Sequence, residues 1–213
     1  MLRTCTEMGI KMIAICPKCK NHGWNKKVEE NDICCPNCGT RWGFDKRNVY
    51  ILTGCSGVGK TTTGMALQRI TKDYVILDAD MFYNIMPHET DADYMNQVEQ
   101  VLSLSKNISQ SGKSVVWTMA GNIDKLCKTY HHIFFRDIKV LALICTKEEL
   151  IHRMTQGRKI TDEGWIQSSI EYNEFFRTHS AINGTPFETF DISGKTVEEA
   201  ARRVYEWLDS CEQ

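Results

Sequence analysis

The sequence predicts an α/β protein: a doubly wound parallel sheet of about five strands, covered by helices on both faces and preceded by a small cysteine-rich module. Three observations carry that prediction. Short, nearly continuous apolar runs recur between residues 49 and 192, amphipathic helical periods fall between them, and four of the ten cysteines crowd into two C-x-x-C pairs before residue 39. Strands buried on both faces read as unbroken apolar runs. Alternation of such runs with helices argues for parallel strands joined by crossovers.

The first element is the cysteine module. Cys16-Pro-Lys-Cys19 and Cys35-Pro-Asn-Cys38-Gly39 are separated by fifteen residues, the two-knuckle spacing of a structural Zn²⁺ site. Four thiolates close a tetrahedron and leave no open position for chemistry, so this metal is expected to hold structure. A segment of about 45 residues buries little core, so metal binding would supply its folding free energy. Cys34 adjoins a ligand, but only Cys35 completes C-P-x-C. Thiol exchange, the other chemistry of a C-x-x-C, does not need two paired knuckles. Residues 13–42 resemble rubredoxin-like zinc ribbons. Trp24 and Trp42 are expected to pack against the ribbon, with base stacking as their other option. The composition changes at residue 47, giving expected domains of 1–47, a zinc ribbon with an N-terminal extension, and 48–213.

Beyond that boundary, residues 49–53, 74–77, 114–119, 138–145 and 189–192 read as strands. Helical stripes are marked by Tyr94, Val98, Val101, Leu102 and Ile108, by Ile166, Ile170, Phe175 and Phe176, and by Val197, Ala200, Ala201, Val204 and Leu208. Between the first strand and the first helix lies Gly54-Cys-Ser-Gly-Val-Gly-Lys60-Thr61, the G-x-x-x-x-G-K-[ST] phosphate-loop pattern in its proper strand-to-helix setting. Gly54, Ser56, Gly57, Val58, Gly59, Lys60, Thr61 and Thr62 are the candidate cradle for ATP. Glycines let successive N–H groups point at the β-phosphate, and the helix adds its positive end. Lys60 is placed to bridge the β- and γ-phosphates, and Thr61 to offer its hydroxyl to Mg²⁺. Cys55 is read simply as a small residue within the loop.

The second strand ends in Leu77-Asp78-Ala79-Asp80. Carboxylates at the carboxyl edge of a doubly wound sheet face the ligand crevice, so one could hold Mg²⁺ through water and the other accept a proton from an attacking hydroxyl. Helix capping is the plainer use of the same residues. After the fourth strand, Thr146 and Glu149 have capping-box spacing, and Arg153 and Arg158 lie at the basic end of the same helical stretch beside a possible hinge at Gly157. Such arginines could neutralise a transferring phosphoryl group, or lie on the solvated surface.

From residue 49 to residue 208 the chain resembles the P-loop kinases of the nucleoside and nucleoside monophosphate kinase superfamily, through the phosphate loop, Asp78 with Asp80, and Arg153 with Arg158. The resemblance implies a P-loop NTPase three-layer fold, ATP and Mg²⁺ as cofactors, acceptor contact by Asp80 and a lid bearing Arg158. It further implies an acceptor pocket lined by residues 117–122 and a fourth strand at residues 141–145. One departure stands out. Residues 80–112 contain no arginine, and Lys106 is their only lysine, so the usual grip on a phosphorylated acceptor is missing and a hydroxyl acceptor is attractive.

The formal charge of −1 and pI near 6.6 give no basic field for nucleic acid. The local candidates, Lys18, Lys20, Lys26, Lys27, Arg41, Lys46 and Arg47, are interrupted by Glu29, Glu30 and Asp32. The longest apolar stretch, residues 140–145, is too short to span a bilayer. Residues 1–14 lack the apolar run of a secretory signal, so a cytoplasmic location is expected. His131 and His132 read as surface residues without a role. The expected activity is ATP-dependent phosphoryl transfer to a small-molecule acceptor, a nucleoside or nucleotide. The alternatives are a zinc-ribbon regulatory ATPase or nucleotide switch and a kinase acting on nucleic-acid ends. A guanine-type switch is disfavoured because the one D-x-x-G, residues 191–194, comes late and no N-K-x-D follows it.

Overall fold

The computed structural model describes residues 13–23 and 25–212, so the expectations for Trp24 and for residues 1–12 lie outside the described residues. The first elements are three short strands, β1 (Lys27–Glu29), β2 (Asp32–Cys34) and β3 (Arg41–Gly43), which form an antiparallel sheet in that order. Ile33 at its centre sits opposite both Val28 and Trp42 and is fully buried. Lys26 is buried as well, its ammonium donating to the carbonyls of Ala14 at 2.7 Å and Gly23 at 2.6 Å.

A five-stranded parallel sheet follows, built from β4 (Val49–Thr53), β5 (Tyr74–Asp78), β6 (Ser114–Thr118), β7 (Ile138–Ile144) and β10 (Glu188–Asp191) in the order β10-β7-β4-β6-β5. Every residue of β4 and β6 is buried, as continuous apolar runs require in a sheet covered on both sides. Successive side chains point to opposite faces. Tyr50, Leu52, Val116, Leu141 and Leu143 therefore share one core with α1 (Lys60–Ile70) and α5 (Val197–Glu212). Val49, Ile51, Val115, Trp117, Val140 and Ala142 share the opposite one with α2 (Asp91–Ser109) and Phe176 of α4 (Glu163–Thr178). A short hairpin, β8 (Ala181–Ile182) with β9 (Thr185–Pro186), precedes β10. No described helix is long and apolar enough to cross a membrane.

Three expectations need correction. Trp117 does not line a pocket. It is fully buried, stacked on Phe82 and hydrogen-bonded through its indole N–H to the Ser105 hydroxyl at 2.7 Å. His131 is not a surface residue. It lies in a short 3₁₀ turn, His131–Phe134, where it is buried and its Nδ1 meets the Glu99 carboxylate of α2. The helix expected at residues 146–159 divides into α3 (Lys147–His152) and a π-helical turn, Arg153–Gly157.

That 3₁₀ turn is also where the cysteine module docks. Phe134 is buried with Ile13 and Ile33, and Tyr130, Trp42 and Phe44 pack around them. The Tyr130 hydroxyl donates to the Lys26 carbonyl at 2.8 Å, and Gln110, at the end of α2, bonds both the N–H and the carbonyl of Asp45 at 3.1 and 3.0 Å.

Candidate active site

The phosphate loop leaves β4 at Thr53 and enters α1 at Lys60, and its shape depends on glycine. Gly54 has φ +138°, and a Cβ there would stand 2.5 Å from the Leu143 carbonyl oxygen. At Gly57, with φ +80°, a Cβ would meet the Met154 side chain at 2.6 Å. The Lys60 ammonium curls over the loop and donates to the carbonyls of Gly54 at 2.9 Å and Cys55 at 2.8 Å. Burial lowers its pKa, opposed by the Asp80 and Asp78 carboxylates. The Cys55 thiol is buried and pushed up to about 12, which removes it as a nucleophile.

Asp78 takes the capping use and also meets the phosphate loop. Its Oδ1 accepts from the Asp80 N–H at 3.0 Å, capping the 3₁₀ turn Ala79–Asn84, while its Oδ2 accepts from the Thr61 hydroxyl at 2.8 Å. Two hard oxygens are thus held side by side beneath the loop, a donor set that suits Mg²⁺. Asp80 faces the same cleft, and burial first, then the Asp78 charge, holds its carboxyl above the ordinary range.

The two arginines reach the loop from behind. The π-helical turn closes with the Arg158 N–H donating to the Arg153 carbonyl at 3.0 Å, and this i→i+5 turn brings residues five apart to the same face. Arg153 donates to the Val58 carbonyl at 2.6 Å and to Glu149 Oε2 at 2.8 Å. Arg158 donates to the Ser56 hydroxyl at 2.8 Å and lies over the Trp165 ring at 5.4 Å. The capping box expected at Thr146 is half made. Thr146 accepts from the Glu149 N–H, but the Glu149 side chain goes to Arg153 and to the N–H of Gly194, at 2.7 Å.

These groups surround a cleft of about 890 Å³ that also takes in Tyr83, Thr118, Met119, Trp165, Ile192 and Thr196. Of the stretch 117–122, therefore, Thr118, Met119 and Ala120 line the cleft, and Trp117 supports it from the core. Residues 192–197, the link from β10 to α5, were missed as site residues. The available signal was their place at the carboxyl end of a parallel strand. The D-x-x-G within that link is fastened rather than free, with Asp191 accepting from Ser193 and Arg177.

Away from the cleft, Cys16, Cys19, Cys35 and Cys38 converge, with all four sulfurs within 4.8 Å of one another. Two of the separations, Cys16 to Cys38 and Cys19 to Cys35, are 3.7 Å. Metal–sulfur bonds of about 2.3 Å in a tetrahedron give edges of about 3.8 Å, so the donor set fits Zn²⁺. The Cys19 N–H donates to Cys16 Sγ and the Asn37 amide to Cys19 Sγ, each at 3.5 Å, as ligand-supporting bonds do. Cys34 stands outside this group.

A family profile described as an AAA domain matches residues 51–174. Solved structures with the same fold include a sugar kinase from Janibacter sp., 19% identical, with a TM-score of 0.55 over 77% of this chain and 95% of that one. A shikimate kinase from Acinetobacter baumannii in complex with shikimate is 17% identical, with a TM-score of 0.52 over 78% and 94%. A gluconokinase from Sinorhizobium meliloti is 18% identical, with a TM-score of 0.51 over 80% and 99%. No curated protein matches the chain in sequence.

Proposed function

This chain belongs to the AAA-domain family, and from that premise we propose that it is an ATP-dependent, Mg²⁺-assisted phosphotransferase of the P-loop kinase kind. It moves a γ-phosphoryl group to a small acceptor of nucleoside or nucleotide type. The observation that carries the reading is the convergence on one cleft of the phosphate loop, the Thr61–Asp78 pair, Asp80 and both arginines, which come from three separate stretches of chain. The names of the structural neighbours, a sugar kinase, a gluconokinase and a shikimate kinase, support a small acceptor.

The loop amides and Lys60 bind the triphosphate, Lys60 exchanging its bonds to Gly54 and Cys55 for phosphate oxygens. Thr61 and Asp78 would hold Mg²⁺, which neutralises charge between the β- and γ-phosphates when bound. Asp80 takes the proton of the acceptor hydroxyl as that oxygen bonds the γ-phosphorus. The bond from the γ-phosphorus to the bridging oxygen breaks, and ADP leaves with the electron pair. Arg158 stands where it can offset the charge on the transferring group, and Arg153 holds the loop from behind.

We further propose residues 1–47 as a zinc-ribbon domain and residues 48–213 as the kinase domain. Of the ribbon's basic candidates, Arg41 is paired with Glu29 and Asp32, Arg47 with Asp45, Lys46 donates to the Glu30 carbonyl and Lys26 is buried, while Lys18, Lys20 and Lys27 are exposed. The test is acceptor-dependent release of ADP across a panel of nucleosides, monophosphates and oligonucleotide ends. Acceptor-dependent release with small molecules is expected. Brisk hydrolysis of ATP that no acceptor stimulates would favour the regulatory ATPase instead.

A further inference from the structure

Resting on the phosphotransfer reading, and narrowing its acceptor from nucleoside or nucleotide to the unphosphorylated kind, we infer that the acceptor is an uncharged hydroxyl compound carrying a flat, apolar ring, and that phosphorylated or carboxylated acceptors are refused. The cations that line the cleft lie on its phosphate side. Lys60 sits on the loop, Arg153 is tied to Val58 and Glu149, Arg158 is tied to Ser56, and Lys195 lies over Phe190, 5.9 Å from its ring. The opposite side is built differently. Beyond Asp80 the cleft continues into a recess of about 30 Å³ whose polar side chains are Asp80, Tyr83, Gln97 and Asn122. Among the described residues, no lysine or arginine lines this recess. Lys106, the one lysine between residues 80 and 112, is buried beneath the cysteine module, 5.0 Å from the Phe134 ring.

Charge points the same way. Asp80 lies in the recess and Asp78 beside it, and the two cations whose fields reach Asp80, Lys60 and Arg158, are committed to the phosphate loop, so an anionic acceptor group would meet like charge there. The Thr118 hydroxyl, on the cleft wall, is buried and has no partner within the described residues, which leaves one more neutral polar group on this side.

The ring requirement comes from the rim. Tyr83 is 47% exposed and Trp165 44% exposed, and both line the cleft, whereas Phe82 between Met81 and Tyr83 turns inward onto Trp117. An exposed aromatic face at the mouth of a cleft stacks a flat ring, and Tyr83 offers one, whereas Trp165 already carries Arg158 over its ring at 5.4 Å. Met81 and Ile85, also exposed on the same turn, extend the apolar rim.

The experiment uses the full zinc-loaded chain with MgATP and matched acceptors: uridine against uridine 5′-monophosphate, glucose against gluconate, and phenyl β-glucoside against glucose. ADP release and product mass are measured. The neutral member of the first two pairs should show at least about tenfold higher kcat/KM, and the phenyl glucoside should exceed glucose by a similar factor. Tyr83→Ala should raise the acceptor KM about tenfold and leave the KM for ATP nearly unchanged. Preference for the monophosphate or for gluconate overturns the inference and leaves the phosphotransfer reading standing. Equal use of glucose and phenyl glucoside, or a Tyr83→Ala variant with unaltered acceptor KM, overturns the ring requirement. ATP hydrolysis with no phosphorylated product from any acceptor overturns the phosphotransfer reading, and the inference with it.

Discussion

The cysteine module buries Ile13 and Ile33 and completes its small core with Phe134, a residue of the 3₁₀ turn His131–Phe134 between β6 and β7, whereas the parallel sheet carries an extensive apolar core on each face. Short of apolar surface, the module borrows contacts and gathers four sulfurs into a donor set that fits a metal. The sheet needs neither and can give its loops over to the cleft. The contrast sets a region suited to stabilisation by coordination beside one held by area removed from water. The two regions should therefore fail under different insults.

The largest separation should come from metal removal. Strong chelation, or Cys19→Ser, should abolish hydrogen-exchange protection in β1–β3 while β4 and β6 keep theirs, since structural Zn²⁺ contributes about 10–16 kcal/mol. Equal loss in both regions would break the comparison. Next, Lys60→Ala should lower turnover by about 10³-fold and leave the exchange of β1–β3 unchanged.

Asp80→Asn should cost about 10²-fold in kcat. It should also remove the acidic limb of the pH profile. If Asp80 works as the proposed base, it does so as the carboxylate, and with its pKa raised the unaltered chain should lose activity as pH falls through a value above the ordinary carboxylate range. A limb that persists in the variant would assign it to another group. Gly54→Ala, forced against the Leu143 carbonyl at a positive φ, should lower the stability of the sheet by about 1–3 kcal/mol in thermal melts.

The smallest effect belongs to Lys106, at the seam between the regions. Burial first, opposed by Glu99, brings its pKa to about 8. Between that value and 10.5 the unfolded chain binds the extra proton, so stability rises with pH across this window. Lys106→Met should flatten that rise in melts taken at pH 7.5 and 9.5.

What could be read in advance follows from how local each signal is. The strands lie close to the limits their apolar runs set, and the phosphate loop, a motif of contiguous residues, falls between strand and helix as expected. The pairing of His131 with Glu99, 32 residues earlier, needs a tertiary contact that no local pattern encodes, and a polar His-His pair reads as surface without it. The π-helical turn was hidden because Arg-Met-Thr-Gln-Gly has no composition that separates an i→i+5 turn from an ordinary helix end. Tyr83 and Trp165 come to the cleft from a 3₁₀ turn and a distant helix, so only the fold brings them together.

Helix α2 connects the two regions mechanically. Its C-terminal end is fastened to the cysteine module through Gln110, and Gln97, on the recess, lies thirteen residues earlier, about 20 Å along the axis. Over that distance a tilt of a few degrees becomes more than an ångström of travel, so a shift at the cysteine-module end would be felt as a change of width at the recess.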